Sequence, residues 1–158
     1  HRVDRRKRQM CIRDRWILIR QLREAGVNIP MLSIATVGEP YVIQQAGLAV
    51  EGIYFTSTLY DPQNPRSEIV KQFVSKTESL TGKKPNYFAA FAHDSLIALC
   101  SALRGVSDPS DAESVRAWLS KMPPIDGMVG PVSFDKDGDA FFPMIVKQIK
   151  NGLPVDVQ

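Results

Sequence analysis

The sequence predicts an α/β fold in two structural units, and three observations lead there. Elements of alternating type run through residues 16–57, three helical patterns follow one another between residues 66 and 119, and two short strand patterns close the chain. A chain of 158 residues with 44% hydrophobic content has the composition of a globular protein.

Residues 16–25 place Ile17, Leu18, Leu22 and Ala25 at helical spacing and stop at Gly26, a helix terminator. Residues 29–34 form a short apolar strand. After the turn at Val37-Gly38, Pro40 is tolerated in the first turn of a helix that runs to about Ala46 and ends at Gly47. Residues 51–57 are rich in β-formers and give the next strand. This order, with short connections, predicts a parallel sheet covered by helices. Residues 60–65 hold two prolines and turn formers, which marks a crossover.

A helix over residues 66–80 puts Ile69, Phe73, Val74 and Leu80 roughly on one face. The next, over residues 87–103, is apolar nearly all round, which predicts a buried helix. Asp111 is the expected N-cap of a third that ends at Leu119. The chain then reads as leaving one unit, visiting a helical one and returning.

At the end of the chain, residues 130–134 and 141–149 read as two strands joined by Asp135-Lys136-Asp137-Gly138-Asp139. Gly138 supplies the positive φ of a tight turn, and the aspartates can bond its backbone. The same cluster fails as a calcium loop: the glycine is fourth rather than sixth, and the twelfth position is Val146 rather than a glutamate. It is a structural turn, and no metal site is expected.

The formal charge of +3 misleads until the chain is divided. Seven basic residues against Asp4 and Asp14 lie in residues 1–15, leaving 13 basic and 15 acidic residues for 16–158, a mildly acidic body. A basic arm can bind phosphate or be a tail without a role. Its Gln9-Met10-Cys11-Ile12-Arg13-Asp14-Arg15 run, however, resembles translated sequencing-adapter read-through, so residues 1–15 are set aside as a non-native or disordered arm and no nucleic-acid partner is expected. No apolar run reaches the ~18 residues of a membrane span, and no secretory signal opens the chain. Cys100 lies alone in an apolar helix and reads as a small buried hydrophobe.

Several motifs keep a recognisable order: Leu22-Arg23-Glu24-Ala25-Gly26, Ala49-Val50-Glu51-Gly52-Ile53, residues 85–94 (PNYFAAFAHD), Gly130-Pro131 and Phe134-Asp135-Lys136-Asp137-Gly138-Asp139. Together they resemble the C-terminal part of a leucine-binding-like, branched-chain amino-acid type periplasmic binding protein, over residues 16–152. The resemblance implies a fragment of a two-lobed type I fold, with parallel sheets and flanking helices in each lobe. Residues 16–60 and 130–152 would be part of the C-terminal lobe, residues 61–129 part of a mainly helical N-terminal lobe, and residues 153–158 a tail. Crossings between lobes are expected near residues 58–64 and 128–133.

The implied function is the solute-binding component of an ABC importer, outside the cytoplasm, with a signal peptide expected in a missing N-terminal part and a membrane permease as partner. The ligand is a small polar solute (an amino acid, amide or related carboxylate) in the cleft between lobes. In amino-acid binders of this family a carboxylate after the strand matching residues 31–34 meets the ligand's ammonium. This chain has Ala35, Thr36, Val37 and Gly38 there, and a buried ammonium without a countercharge is costly. Glu39, one turn away, is the substitute, against its simpler role as a solvated helix-start residue. Thr36 offers a hydroxyl, though a turn threonine is commonly structural. Phe88 matches an aromatic that contacts ligand from the other lobe; by chemistry alone it reads as a core residue. His93, alone on an apolar helix, is read as structural. No enzyme and no cofactor are expected. The alternatives are a Rossmann- or flavodoxin-like enzyme domain, which needs a phosphate-binding turn at a strand end, and the ligand-sensing domain of a receptor with the same fold.

Overall fold

The computed structural model describes residues 12–157, with side chains from residue 16 onward. The basic arm therefore lies outside the described residues, apart from the backbone of residues 12–15, which is the start of the first helix. In chain order the elements are α1 (Ile12–Glu24), β1 (Leu32–Ser33), α2 (Pro40–Ala46), β2 (Tyr54–Thr58), α3 (Glu68–Thr81), α4 (Tyr87–Gly105), α5 (Ala112–Leu119), β3 (Ile125–Gly127), β4 (Gly130–Phe134), β5 (Ala140–Phe141), β6 (Met144–Lys150) and β7 (Leu153–Asp156). They fall into two compact units: residues up to 57 with those from 145 onward, and residues 58–144.

The first unit is built on a four-stranded sheet in the order β1-β2-β6-β7. β1 runs parallel to β2, with Leu32 opposite Tyr54, and β6 runs antiparallel to β7. Ile19 of α1, Val37, Val42 of α2, Val50, Ile53, Phe55 and Ile149 pack into its core. The excursion to the second unit is closed here by a seam between residues far apart in sequence. Gly52 N donates to Ile149 O at 2.9 Å and Ile149 N to Ile53 O at 3.0 Å. Gln148 Nε2 donates to Gly52 O at 3.2 Å. The Glu51 carboxylate accepts from Asn151 N at 2.8 Å and Gly152 N at 3.2 Å.

Four strand expectations are revised in this unit and its neighbour. The run 141–149 is not one strand: Pro143 has no N–H for a ladder, so β5 stops before it and β6 starts after it. As a result β4 stays with the second unit, antiparallel to β3 and β5, and the chain returns at residue 145 rather than near 128–133. Residues 153–158 are no tail, because Asn151 (φ 53°) and Gly152 (φ 72°) form a two-residue turn of left-handed residues that folds β7 back on β6. Finally, of the rough apolar alternation Phe142, Met144, Val146 and Ile149 read from the sequence, only Ile149 lies on the buried face of β6. Lys147 and Ile149 point inward while Met144 and Val146 are exposed, and Lys147, only 6% exposed, lies 3.4 Å from Asp156.

The second unit packs α3, α4 and α5 with the three-stranded sheet β3-β4-β5. Each helix has its sequence-encoded cap: Ser67 Oγ accepts from Val70 N, Asn86 Oδ1 from Ala89 N, and Asp111 Oδ1 from Glu113 N. Tyr60, Val70, Val74, Ala90, Met128, Val129 and Val132 form the core. The Tyr60 hydroxyl donates to Pro85 O at 2.9 Å; burial, with the Asp61 charge second, pushes it up to about 12, so it remains a donor at neutral pH. In the β4–β5 hairpin Asp135 Oδ1 accepts from both Asp137 N and Asp139 N at 2.9 Å, organising the acidic turn from within.

α4 departs most from expectation. Its buried positions are Ala90, Asp94, Ala98 and Ala102, a stripe at four-residue spacing. Phe88, Leu96, Ile97 and Leu99 are exposed, so the helix is covered on one side only. Within the buried stripe, Asp94 accepts from Met128 N at 2.7 Å and Val129 N at 3.1 Å, the two residues of the β3–β4 turn. His93 Nδ1 is 3.1 Å from the same carboxylate. Gly127 permits this approach, since a Cβ there would lie 2.4 Å from Asp94 Oδ2.

Replacing Asp94 by alanine leaves two buried amides without acceptors and is expected to cost about 3 kcal/mol. Hydrogen exchange should show faster exchange at Met128 and Val129, and unchanged protection there would contradict this role for Asp94. The change Glu51→Ala should weaken the first unit by about 1–2 kcal/mol, read as accelerated exchange at Asn151 and Gly152.

Candidate functional site

Four of the five residues expected to contact ligand lie on one connection of the first unit. From β1 the chain passes through Ile34, extended at φ −109° and ψ 169°, into a 3-10 turn at Ala35–Gly38, and Glu39 then leads into α2 with Pro40 at its first position. Val37 N donates to Ile34 O at 3.0 Å and Ile43 N to Glu39 O at 3.1 Å. The turn is pinned because Val37 is wholly buried in the core and Gly38 lies against the Phe55 ring, where a Cβ would approach to 2.7 Å.

These positions differ in what they can offer. The Val37 side chain has no exposure and packs in the core. Thr36 is buried as well, and its Oγ1 has no hydrogen-bond partner among the described residues; a buried hydroxyl in that state costs about 1–3 kcal/mol. Ala35 is half-buried and presents backbone and methyl only.

Glu39 is half-buried, and its side chain makes no capping hydrogen bond. Burial raises its carboxyl above the ordinary value of 4.5. A helix N-terminus alone would favour the charged form, so desolvation prevails at this carboxyl. The solvated capping role does not describe it.

Phe88 belongs to the second unit, in the first turn of α4. It is 46% exposed rather than packed inward. Its ring stacks on Tyr87 at 4.2 Å, Tyr87 meets Phe91 edge-on at 6.1 Å, and Phe91 meets Phe142 at 5.1 Å. An aromatic series thus runs from the exposed helix start into the unit. Sequence reasoning passed over Tyr87, whose signal is its place beside Phe88 at a capped helix start. His93 packs against Phe73 at 5.2 Å and faces Asp94, in agreement with a structural role.

Neither cavity adds a charged site. A surface depression of about 700 Å³ in the first unit is lined by Arg20, Arg23, Gln44 and Leu48 among others. Arg23 is already engaged with the carbonyls of Val27, Ile29, Ala49 and Glu51, and Arg20 with Glu24. A cavity of about 90 Å³ in the second unit lies among Phe91, Asp94, Ala98, Phe134 and Phe142 and is almost wholly apolar. Among the described residues no cluster of His, Cys, Asp and Glu is placed to hold a metal ion, and no helix is long and apolar enough to cross a membrane.

Comparison with known proteins adds three findings. The family model described as periplasmic binding protein matches residues 17–153. No match is found among curated proteins. Solved structures with this fold include a leucine-binding protein of Thermotoga maritima, with a TM-score of 0.78 and 26% identity over 93% of this chain and 41% of that one. A branched-chain amino-acid transporter substrate-binding protein of Streptococcus pneumoniae, solved with isoleucine, has a TM-score of 0.71 and 22% identity over 92% and 42%. A solute-binding protein of R. palustris, solved with benzoate, has a TM-score of 0.70 and 18% identity over 90% and 39%. The chain thus spans about two-fifths of the length of these proteins.

The raised Glu39 carboxyl gives a pH dependence of definite sign. Below the unfolded value the group is neutral in both states and its burial carries no charge penalty; as pH rises through the folded value, ionisation costs stability. Glu39→Gln is therefore expected to raise the melting temperature at pH 7 and to change it little near pH 4. A variant less stable than the parent at pH 7 would contradict the assignment.

Proposed function

The chain belongs to the periplasmic binding protein family, and we propose that it forms part of the solute-binding component of an ABC importer. The family match across residues 17–153 carries this reading. The division of the chain into two units is in keeping with it. The passages between them lie at residues 57/58, in β2, and 144/145, in β6, strands that are neighbours in one sheet. These two passages are the hinge of a domain closure around ligand. The protein works outside the cytoplasm and presents its closed form to a membrane permease.

The solute is small and polar: an amino acid, an amide or a related carboxylate. Glu39 is the ionisable group of the Ala35–Glu39 connection and serves a cationic or hydrogen-bond-donating part of the ligand. Thr36 contributes its hydroxyl once the turn admits a partner, and Phe88 covers the ligand's apolar portion. Leucine, isoleucine and benzoate, the ligands named with or bound to related proteins, share an apolar body, which suits the role given to Phe88, and the two amino acids carry an ammonium, which suits Glu39. The reading requires no catalytic residue and no cofactor. An enzyme domain with a phosphate-binding turn is less favoured, because the β1–α2 connection holds the buried Thr36 and Val37 where such a turn would expose backbone amides.

The test uses a family-length protein in which this chain replaces the matched portion of the Thermotoga maritima leucine-binding protein. Calorimetric titration with α-amino acids, small amides and aromatic carboxylates is expected to find one class bound at micromolar concentration, with Glu39→Gln weakening ligands that carry an ammonium most. A folded chimaera that binds none of these below about 1 mM, an affinity worth only ~4 kcal/mol, would overturn the proposal. The chain by itself is expected to bind none of them tightly.

A further inference from the structure

Among the described residues, the buried side-chain polar atoms left without a hydrogen-bond partner are Trp16 Nε1 and Thr36 Oγ1. Folded proteins rarely leave such groups unsatisfied. Both belong to the first unit, and they lie in one part of it. The Trp16 ring packs against the core cluster that holds Val37, the residue after Thr36, and α1 touches the 3-10 turn at Ala35–Gly38. The direction of α1 agrees. Arg23, near its end, donates to the carbonyls of Ala49 and Glu51 ahead of β2, and β1 runs parallel to β2. The start of α1 therefore lies toward the end of β1, where the chain enters the turn. Trp16 stands seven residues before Arg23, about 10 Å along the helix in that direction.

The chemistry of the two atoms selects what they hold. An indole N–H can only donate, whereas a hydroxyl both donates and accepts. They make no bond to each other, so the shared partner has to accept from the indole and to accept from or donate to the hydroxyl. Neither side chain carries a charge, and an ion buried between them would have no countercharge from either. Both atoms are shut off from solvent, which limits the partner to a small neutral group with an oxygen. We propose that one internal water bridges Trp16 Nε1 and Thr36 Oγ1 and ties the start of α1 to the turn that leads to Glu39. Buried waters of this kind make two to four hydrogen bonds to groups that would otherwise be unsatisfied. A solute oxygen that reaches Thr36 has to take the place of this water. The bridge itself rests on the two unpartnered atoms and not on ligand binding.

Thermal unfolding and crystallography test the bridge. Thr36→Val keeps the shape of the side chain and removes the hydroxyl. With the water in place, this change is expected to lower the melting temperature by about 2–4 °C, the shift that one net hydrogen bond produces in a chain of this size. A hydroxyl without a partner predicts the opposite sign, because valine would relieve a buried polar group; an unchanged or higher melting temperature overturns the proposal. A crystal structure of the chain, or of the chimaera if the chain does not crystallise, is expected to show one ordered water about 2.7–3.2 Å from both atoms. Thr36→Ser should keep that water and Thr36→Val should lose it. No water, a water on one atom only, or a direct bond between the two side chains overturns the proposal. If Thr36→Val does not fold, the parent and Thr36→Ser crystals decide by the same criteria.

Discussion

The seam at Gly52, Ile53 and Ile149 is the constraint on which the rest of the molecule hangs. It joins backbone on either side of an excursion in which Gln148 reaches a residue 96 positions earlier. Closing so long a loop costs on the order of 4 kcal/mol beyond a constant term, and two backbone hydrogen bonds at ~1 kcal/mol each do not offset it. The balance comes from Ile53 and Ile149, both essentially without exposure in the core, and from the Glu51 carboxylate holding the turn after β6. The second unit has a smaller counterpart. Asp94 ties the turn between β3 and β4 to α4, so that strands added late in the sequence are positioned by a helix formed earlier.

Much of this order was legible in the sequence. The cap at Asp111 is a local signal, and a side chain that satisfies an amide two residues away needs no knowledge of the rest of the chain; Ser67 and Asn86 carry the same kind of signal, which the reading of the sequence omits. The alternation of types in residues 16–57 was legible for a similar reason, because apolar spacing encodes a face. What failed was face selection where the partner is distant. Met144 and Val146 look like the inward residues of β6, yet Lys147 takes that side, because pairing to β2 and β7 sets the register and Asp156 supplies its countercharge. β3 was missed because three residues carry no periodicity. The expectation of a tail over residues 153–158 overlooks the Asn151-Gly152 pair, a strong short hairpin signal.

The connection that carries Ala35 to Glu39 was legible in the sequence as a turn and poorly legible in character. A turn does join β1 to α2, yet the burial of Thr36 and Val37 follows from the tight 3-10 geometry and the Phe55 ring behind Gly38, neither of which is local information. Glu39 reads from sequence as a solvated helix-start residue and folds into a half-buried one. Phe88 and α4 show the reverse error. Apolar content all round a helix predicts burial all round, whereas Phe88, Leu96, Ile97 and Leu99 of α4 are exposed.

The turn that joins β6 to β7 also bears on the chemical lifetime of the protein. Asparagine followed by glycine is the sequence most prone to deamidation, in which the glycine amide nitrogen attacks the asparagine side-chain carbonyl. In this fold the Gly152 N–H is directed to the Glu51 carboxylate at 3.2 Å, and Asn151 is fixed at a left-handed backbone angle. The contact that closes the chain's long detour therefore also engages the nitrogen on which that reaction depends.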